Sequence, residues 1–273
     1  MTADDIERIH KEGKIASLMG VEGGHSIEDS VNVLRQLYTE GARYMTLTHS
    51  ETLAWADSAT DDPKHDGLTP FGEEIVRQMN ALGMLVDISH VSVATMHDAL
   101  DVTTAPVIFS HSSARAIADH PRNVPDDVLG RLPKNGGLVM VNYYPEFVGR
   151  DAARRGVARM ALRKKLEAEL KDDKLVRAEM AKWETANPLP RVTIYDVLDH
   201  IDHIVKVAGV DHVGIGSDFD GVDALPDQLE DVATYPRITQ GLLDRGYAPD
   251  QIRKILGLNL LRVLRGAEAV RKG

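Results

Sequence analysis

Cysteine is absent from the 273 residues. That excludes disulfides, thiolate metal sites and cysteine nucleophiles, so any bound metal must be held by histidine and carboxylate. Aromatic residues are scarce, at 5%, and no run approaches the roughly 18 apolar residues of a membrane span. Residues 1–14 lack the apolar core of a secretion signal. Localisation therefore reads as cytoplasmic by default, and as exported were a preceding segment to carry a signal. Basic charge is outweighed, with 32 Lys and Arg against 42 Asp and Glu. The resulting net charge of −10 suits phosphate backbones poorly, and no nucleic-acid partner is expected. The remainder, 43% apolar and 27% charged, is ordinary globular composition.

Short, continuously apolar runs recur at 15–21, 44–48, 84–89, 107–110, 138–142 and 212–217. Runs of this kind fit strands buried on both faces. Helical periods lie between them. Val31, Leu34 and Leu37 share one face, with Gly41 as the stop; Ile75, Val76, Met79 and Leu82 repeat the pattern up to Gly83. Thr193 followed by Asp196 opens a third helix as a capping box, with Val197, Leu198, Ile201 and Ile204 on its apolar face. Ile252, Ile255, Leu256 and Leu260 predict a C-terminal helix. The alternation argues a parallel α/β fold, and an open doubly wound sheet and a barrel both fit. Six strands are visible where a TIM-like (β/α)8 barrel has eight.

Residues 150–184 break the rhythm. Eighteen of these 35 residues are charged, eleven basic and seven acidic, which predicts one or two solvated helices inserted into the domain.

Chemistry gathers where the apolar runs end. Glu22 follows the first, His49 the second, His90 the third, His111 the fourth and Asp218 the last. In a parallel α/β fold these ends lie on one face, where active sites are built. Imidazole and carboxylate without thiolate suit a catalytic zinc with an open position, and a bridging carboxylate would make a two-metal hydrolytic site. His25 follows Glu22 closely and is a candidate to support it. His200 and His203 stand three apart on a helix and are placed on its outward face. His10, His65, His97, His120 and His212 have no partner pattern and are read as surface or loop. Ser110, Ser112 and Ser113 flank His111 without a nucleophile-elbow motif. Asp57, Asp61, Asp62 and Asp66 are read as a solvated rim.

The sequence resembles the membrane (renal) dipeptidase family, peptidase family M19, zinc peptidases of the amidohydrolase-like barrel class. The resemblance rests on G-V-E-G-G-H-S-I at 20–27, R-Y-M-T-L-T-H-S at 43–50, H-V-S-V-A-T-M at 90–96, A-P-V-I-F-S-H-S-S-A at 105–114, R-N-V-P-D-D-V-L at 122–129 and G-S-D-F-D-G-V at 216–222. It implies a metallo-dependent hydrolase barrel that cleaves dipeptides with a hydroxide bridging two zinc ions. Carried over by motif, Glu22 bridges the zincs, His90 and His111 complete one, and Asp218 ligates the other and takes the water's proton. His49 meets the tetrahedral oxyanion and Arg122 binds the substrate carboxylate. A homodimer is compatible with the resemblance.

Family members also carry an H-x-D motif ahead of the bridging glutamate, and residues 1–21 contain none. The chain is thus expected to hold strands three to eight of the barrel as one catalytic domain over residues 1–273, with the charged insertion at about 150–190 and the second zinc site incomplete. Two alternatives stand beside the dipeptidase: an inactive barrel remnant acting as a binding protein, and a mononuclear amidohydrolase. Phe147 occupies a position near the substrate where some relatives carry tyrosine.

Overall fold

The computed structural model describes residues 1–272. Helix α1 (Ala3–Lys11) leads into a parallel sheet of six strands: β1 (Met19–Glu22), β2 (Ala42–Thr46), β3 (Leu85–Asp87), β4 (Ile108–Phe109), β5 (Leu138–Val141) and β6 (Val213–Ile215). The strands pair in chain order, so each connection is a crossover through helices. Helix α2 (Val31–Glu40) follows β1, α3 (Pro70–Leu82) follows β2 and α4 (Val93–Val102) follows β3. Two one-turn helices, α5 (Asp126–Leu129) and α6 (Leu132–Asn135), follow β4. After β5 come α7 (Pro145–Val148), α8 (Arg150–Leu170), α9 (Asp173–Ala186) and α10 (Ile194–Ala208). The chain ends on α11 (Tyr235–Asp244), α12 (Pro249–Arg253) and α13 (Asn259–Ala269). This is a partial (β/α) barrel, in which β1 and β6 each have one neighbouring strand among the described residues.

Local chemistry explains the helix limits. Ser30, Thr69 and Ser92 cap α2, α3 and α4 through their hydroxyls, and Gly41 and Gly83 close α2 and α3 at positive φ. The capping box of Thr193 and Asp196 opens α10, as the sequence predicts. The strands are shorter than the apolar runs, which continue into the loops. Ile15 in particular is 95% exposed, because pairing between β1 and β2 begins only at Met19 and Ala42.

Side chains alternate across the sheet. Val86, Val107, Phe109, Val139 and Val141 point into the main core beneath the helices. Leu85, Ile108, Leu138 and Met140 point to the other face, where Ala3 of α1 and Val263, Leu264 and Ala267 of α13 cover them. Two residues further along the strands this second face changes character and carries Asp87 and Ser110. The floor of the barrel is therefore apolar and its C-terminal rim polar.

The charged insertion forms the two helices α8 and α9, and it is docked rather than fully solvated. Ala152, Ala153, Gly156, Val176 and Met180 are buried. Glu146 of α7, 1% exposed, receives Arg155 at 2.6 Å and Arg159 at 3.1 Å. Gly156 permits this approach, since a Cβ there would stand 2.8 Å from the Glu146 carboxylate.

Candidate metal centre and substrate cavity

Five of the six strands deliver a functional residue within a few positions of their ends. Glu22 closes β1, His111 lies two residues past β4, and His49, His90 and Asp218 lie three past β2, β3 and β6. His90 and Asp218 adopt left-handed backbone conformations, with φ of 66° and 64°. Such φ values cost non-glycine residues roughly 1–2 kcal/mol and cluster at functional sites.

Three of the four expected metal ligands meet. Glu22 Oε1 lies 3.3 Å from His90 Nε2 and 3.2 Å from His111 Nε2, and the two Nε2 atoms are 2.8 Å apart. One ligand atom from each falls within 4.8 Å of the others, a spacing that could hold a metal ion. Contacts with His111 and His90 hold the Glu22 carboxyl well below the usual carboxylate range. Burial, reinforced by the Arg122 charge, pushes His90 down to about 2. An ionised carboxylate and a neutral imidazole are the forms that bind metals. Asp218 stands outside the trio but lines, with Glu22 and His111, a second cavity of about 520 Å³. Its Oδ2 accepts from Asn142 Nδ2 at 2.9 Å.

Two residues that the sequence reading left unassigned fix the His111 ring. Asp87 is fully buried, and its carboxylate accepts from Thr46 Oγ1 (2.6 Å), the Ser89 and Ser110 backbone N–H groups (3.0 and 2.9 Å) and Ser110 Oγ (2.5 Å). Because Ser110 donates to the carboxylate, its oxygen accepts from His111 Nδ1–H at 2.7 Å. The Nε2 lone pair of His111 is thereby left facing Glu22 and His90. Carboxylates are usual orienting partners of metal-ligating imidazoles.

Beside His90 opens a cavity of about 650 Å³ whose walls include Arg122, His120, Phe147 and, from α8, Arg159 and Arg163. Arg122 is 2% exposed. Its guanidinium donates to His111 O at 3.1 Å and Ser112 Oγ at 3.4 Å, and no carboxylate lies within ion-pair distance among the described residues. Burial lowers it to about 10, so it stays charged at neutral pH. His49 is exposed, its ring 4.6 Å from that of His90.

Several other sequence expectations are corrected. His200 does not face outward: it is fully buried, accepts from Ala114 N–H through Nδ1 (2.9 Å) and donates from Nε2 to Val148 O (3.0 Å). It thus ties α10 to the loop after β4 and to α7. His203 pairs with Asp126 at 2.7 Å. His120 is buried rather than on the surface. His97 pairs with Asp127 at 3.0 Å, while His65 and His212 bond backbone carbonyls. Asp57 is no solvated rim residue: it is fully buried and accepts backbone N–H bonds from Lys64, His65 and Gly67, which cinch the loop after β2. His25 is exposed, and Glu22 is met by His90 and His111 instead.

The family model for membrane dipeptidase (peptidase family M19) matches residues 1–273. The chain is 42% identical to Dipeptidase tcpJ of Claviceps purpurea, covering 98% of this chain and 55% of that protein. It is 45% identical to the uncharacterized dipeptidase C965.12 of Schizosaccharomyces pombe, over 98% of this chain and 57% of that one. The chain thus spans a little over half the length of these curated relatives. Among solved structures, the probable dipeptidase PvdM of Pseudomonas aeruginosa superimposes with a TM-score of 0.87 at 26% identity, covering 98% of this chain and 73% of PvdM. A metallo peptidase of Rhodobacter sphaeroides, solved with a phosphinate mimic of the dipeptide L-Ala-D-Ala, shares the fold, with a TM-score of 0.78 at 24% identity over 97% of this chain and 67% of that one. The chain belongs to the membrane dipeptidase family, peptidase family M19.

Proposed function

We propose that this chain carries the metal centre and substrate cavity of a zinc dipeptidase. The observation that bears most weight is Arg122, a buried and unneutralised guanidinium facing the same cavity as His90. A buried cation without a counter-ion is costly, and a site that supplies one calls for an anionic ligand. A dipeptide's C-terminal carboxylate fits that need and would place the adjoining peptide bond toward the histidines. The relatives named as dipeptidases support the same substrate class.

The donor set fits zinc: two imidazoles with Nε2 atoms converging on a carboxylate oxygen, one imidazole already oriented through Ser110. Glu22, His90 and His111 would hold one ion. Glu22 and Asp218 would contribute to a second, and two carboxylates alone are too few for tight binding. Bound zinc would polarise the scissile carbonyl and make water a competent nucleophile near neutral pH. The remaining work falls to side chains. Arg122 anchors the carboxylate. His49, its ring 4.6 Å from that of His90, can meet charge growing on the carbonyl oxygen. Asp218 spends Oδ2 on Asn142 and keeps Oδ1 to accept a proton from the attacking water.

Zinc content and dipeptide hydrolysis, measured together on the purified chain and on Glu22→Gln, test this reading. Hydrolysis that scales with bound zinc and disappears in Glu22→Gln is the expected result. One zinc per active chain would favour the mononuclear alternative, toward which the three-ligand cluster points. Zinc bound without turnover of any dipeptide would make the chain a binding protein.

A further inference from the structure

The substrate cavity contains a polar group that the proposed reaction leaves unused. His120 is 2% exposed and lines the cavity with Arg122 and Phe147. Its ring lies 4.7 Å from the Phe147 ring, and the Arg122 guanidinium carbon lies 5.2 Å from the same ring. One aromatic ring therefore contacts two nitrogen-rich side chains, the imidazole tilted at 44° to it and the guanidinium in a cation–π contact.

The tautomer of His120 follows from its surroundings. The Arg122 backbone N–H donates to His120 Nδ1 at 3.2 Å. A ring nitrogen that accepts carries no proton, so the proton sits on Nε2. Nε2–H has no acceptor among the described residues, and the ring borders the cavity. Burial, with Arg122, Arg115 and Arg159 nearby, pushes this imidazole down to about 3, so it stays a neutral donor across the working pH range.

Arg122 has at most about two of a guanidinium's five N–H groups left for a carboxylate. One N–H from each terminal nitrogen is committed, to Ser112 Oγ and His111 O, and Nε is enclosed by protein. A carboxylate offers about four lone-pair sites and favours several donors. We infer that His120 Nε2–H is the second donor to the substrate's C-terminal carboxylate, so that Arg122 and His120 together form a pocket selective for a free carboxylate. The inference rests on the dipeptide reading above and deepens it. A C-terminal amide, or a further residue, would bring an N–H donor against the donors of Arg122 and His120, which is a strong basis for rejection. The chemical class admitted is thus a short peptide ending in a carboxylate at the residue after the scissile bond.

The test uses the zinc-loaded chain and two probes, a non-hydrolysable phosphinate dipeptide and its C-terminal amide. Wild type should bind the acid far more tightly than the amide, and in ¹⁵N-histidine-labelled protein the His120 Nε2–H resonance should shift with the acid only. His120→Phe keeps the ring packing and removes the donor. It should weaken acid binding by about tenfold, the scale of one hydrogen bond to a charged group. Amide binding should change little, and the loss in dipeptide turnover should fall on KM rather than kcat. His120→Gln, which restores an N–H donor, should recover part of the difference. Equal effects on acid and amide, or an unchanged acid affinity in folded His120→Phe, would overturn the assignment while dipeptide hydrolysis stands. A wild-type chain that neither hydrolyses dipeptides nor binds either probe would overturn the dipeptide reading itself, and this assignment with it.

Discussion

Ser110 Oγ stands between the Asp87 carboxylate, 2.5 Å away, and His111 Nδ1, 2.7 Å away. One hydroxyl therefore transmits the position of a buried acid to the ring of a candidate metal ligand. Removing it frees the ring and leaves the Nδ1 proton without its acceptor. Ser110→Ala should bind zinc about 10–100-fold more weakly, the usual cost of losing an outer-shell partner. Competition against a chelator measures this directly, and Ser110→Thr should recover much of the affinity. An unchanged zinc affinity in Ser110→Ala would remove the relay from the argument.

Arg122 is expected to trade stability for binding. Its guanidinium is buried without a counter-ion. Arg122→Met should therefore raise KM for dipeptides at least about 30-fold, from a loss of about 2–5 kcal/mol typical of a buried charged contact. Its melting temperature should equal or exceed that of wild type, because an uncompensated buried charge has been removed. A lower melting temperature combined with an unchanged KM would assign Arg122 to the fold instead.

Glu146 anchors the charged insertion. It is 1% exposed, and its carboxylate pairs with both Arg155 and Arg159. Glu146→Ala would leave two partly buried cations facing each other, at a cost of about 3–5 kcal/mol. Hydrogen exchange should show α8 and α9 losing protection first, with the strands β1 to β5 still protected. Uniform loss across the chain would mean that the insertion and barrel unfold as one unit.

Acid should act through His200. Burial pushes this imidazole down to about 4 from an ordinary value of 6.5. On acidification the unfolded chain takes up this proton first, so the contribution is complete above about pH 6.5 and lost as pH falls toward 4. The slope is about 1.4 kcal/mol per pH unit for one such group. Denaturant titrations at pH 6.5, 5.5 and 4.5 should show one fewer proton taken up on unfolding for His200→Gln than for wild type. The same proton uptake in both would place the acid sensitivity elsewhere.

The legible part of the site was the part set by topology. Parallel strands bring their C-terminal ends to one rim, so Glu22, His90 and His111 could be grouped from their positions after apolar runs. The harder residues were those whose partners come from distant segments. Asp87 sits inside an apolar run, where a carboxylate must be paired, yet nothing local names Thr46 or Ser110 as the partners. His200 is three residues after Val197 and four before Ile204, within reach of the buried face of α10. The apolar residues alone define a face that leaves it outward, whereas α7 and the loop after β4 supply polar backbone partners. Likewise the charges of α8 suggested solvent, and only the fold brings Glu146 beneath Arg155 and Arg159.

Helix α8 gives the cavity a wall that owes nothing to the strand ends. The residues that would hold metal sit at or just past the strand ends, whereas Arg159, Met160, Arg163 and Lys164 come from one helical stretch. Substitutions along that stretch can reshape what the cavity admits without disturbing Glu22, His90 or His111. Selection for new substrates thus has a separate surface on which to act, and descendants of one catalytic core can diverge in diet by changing a single helix.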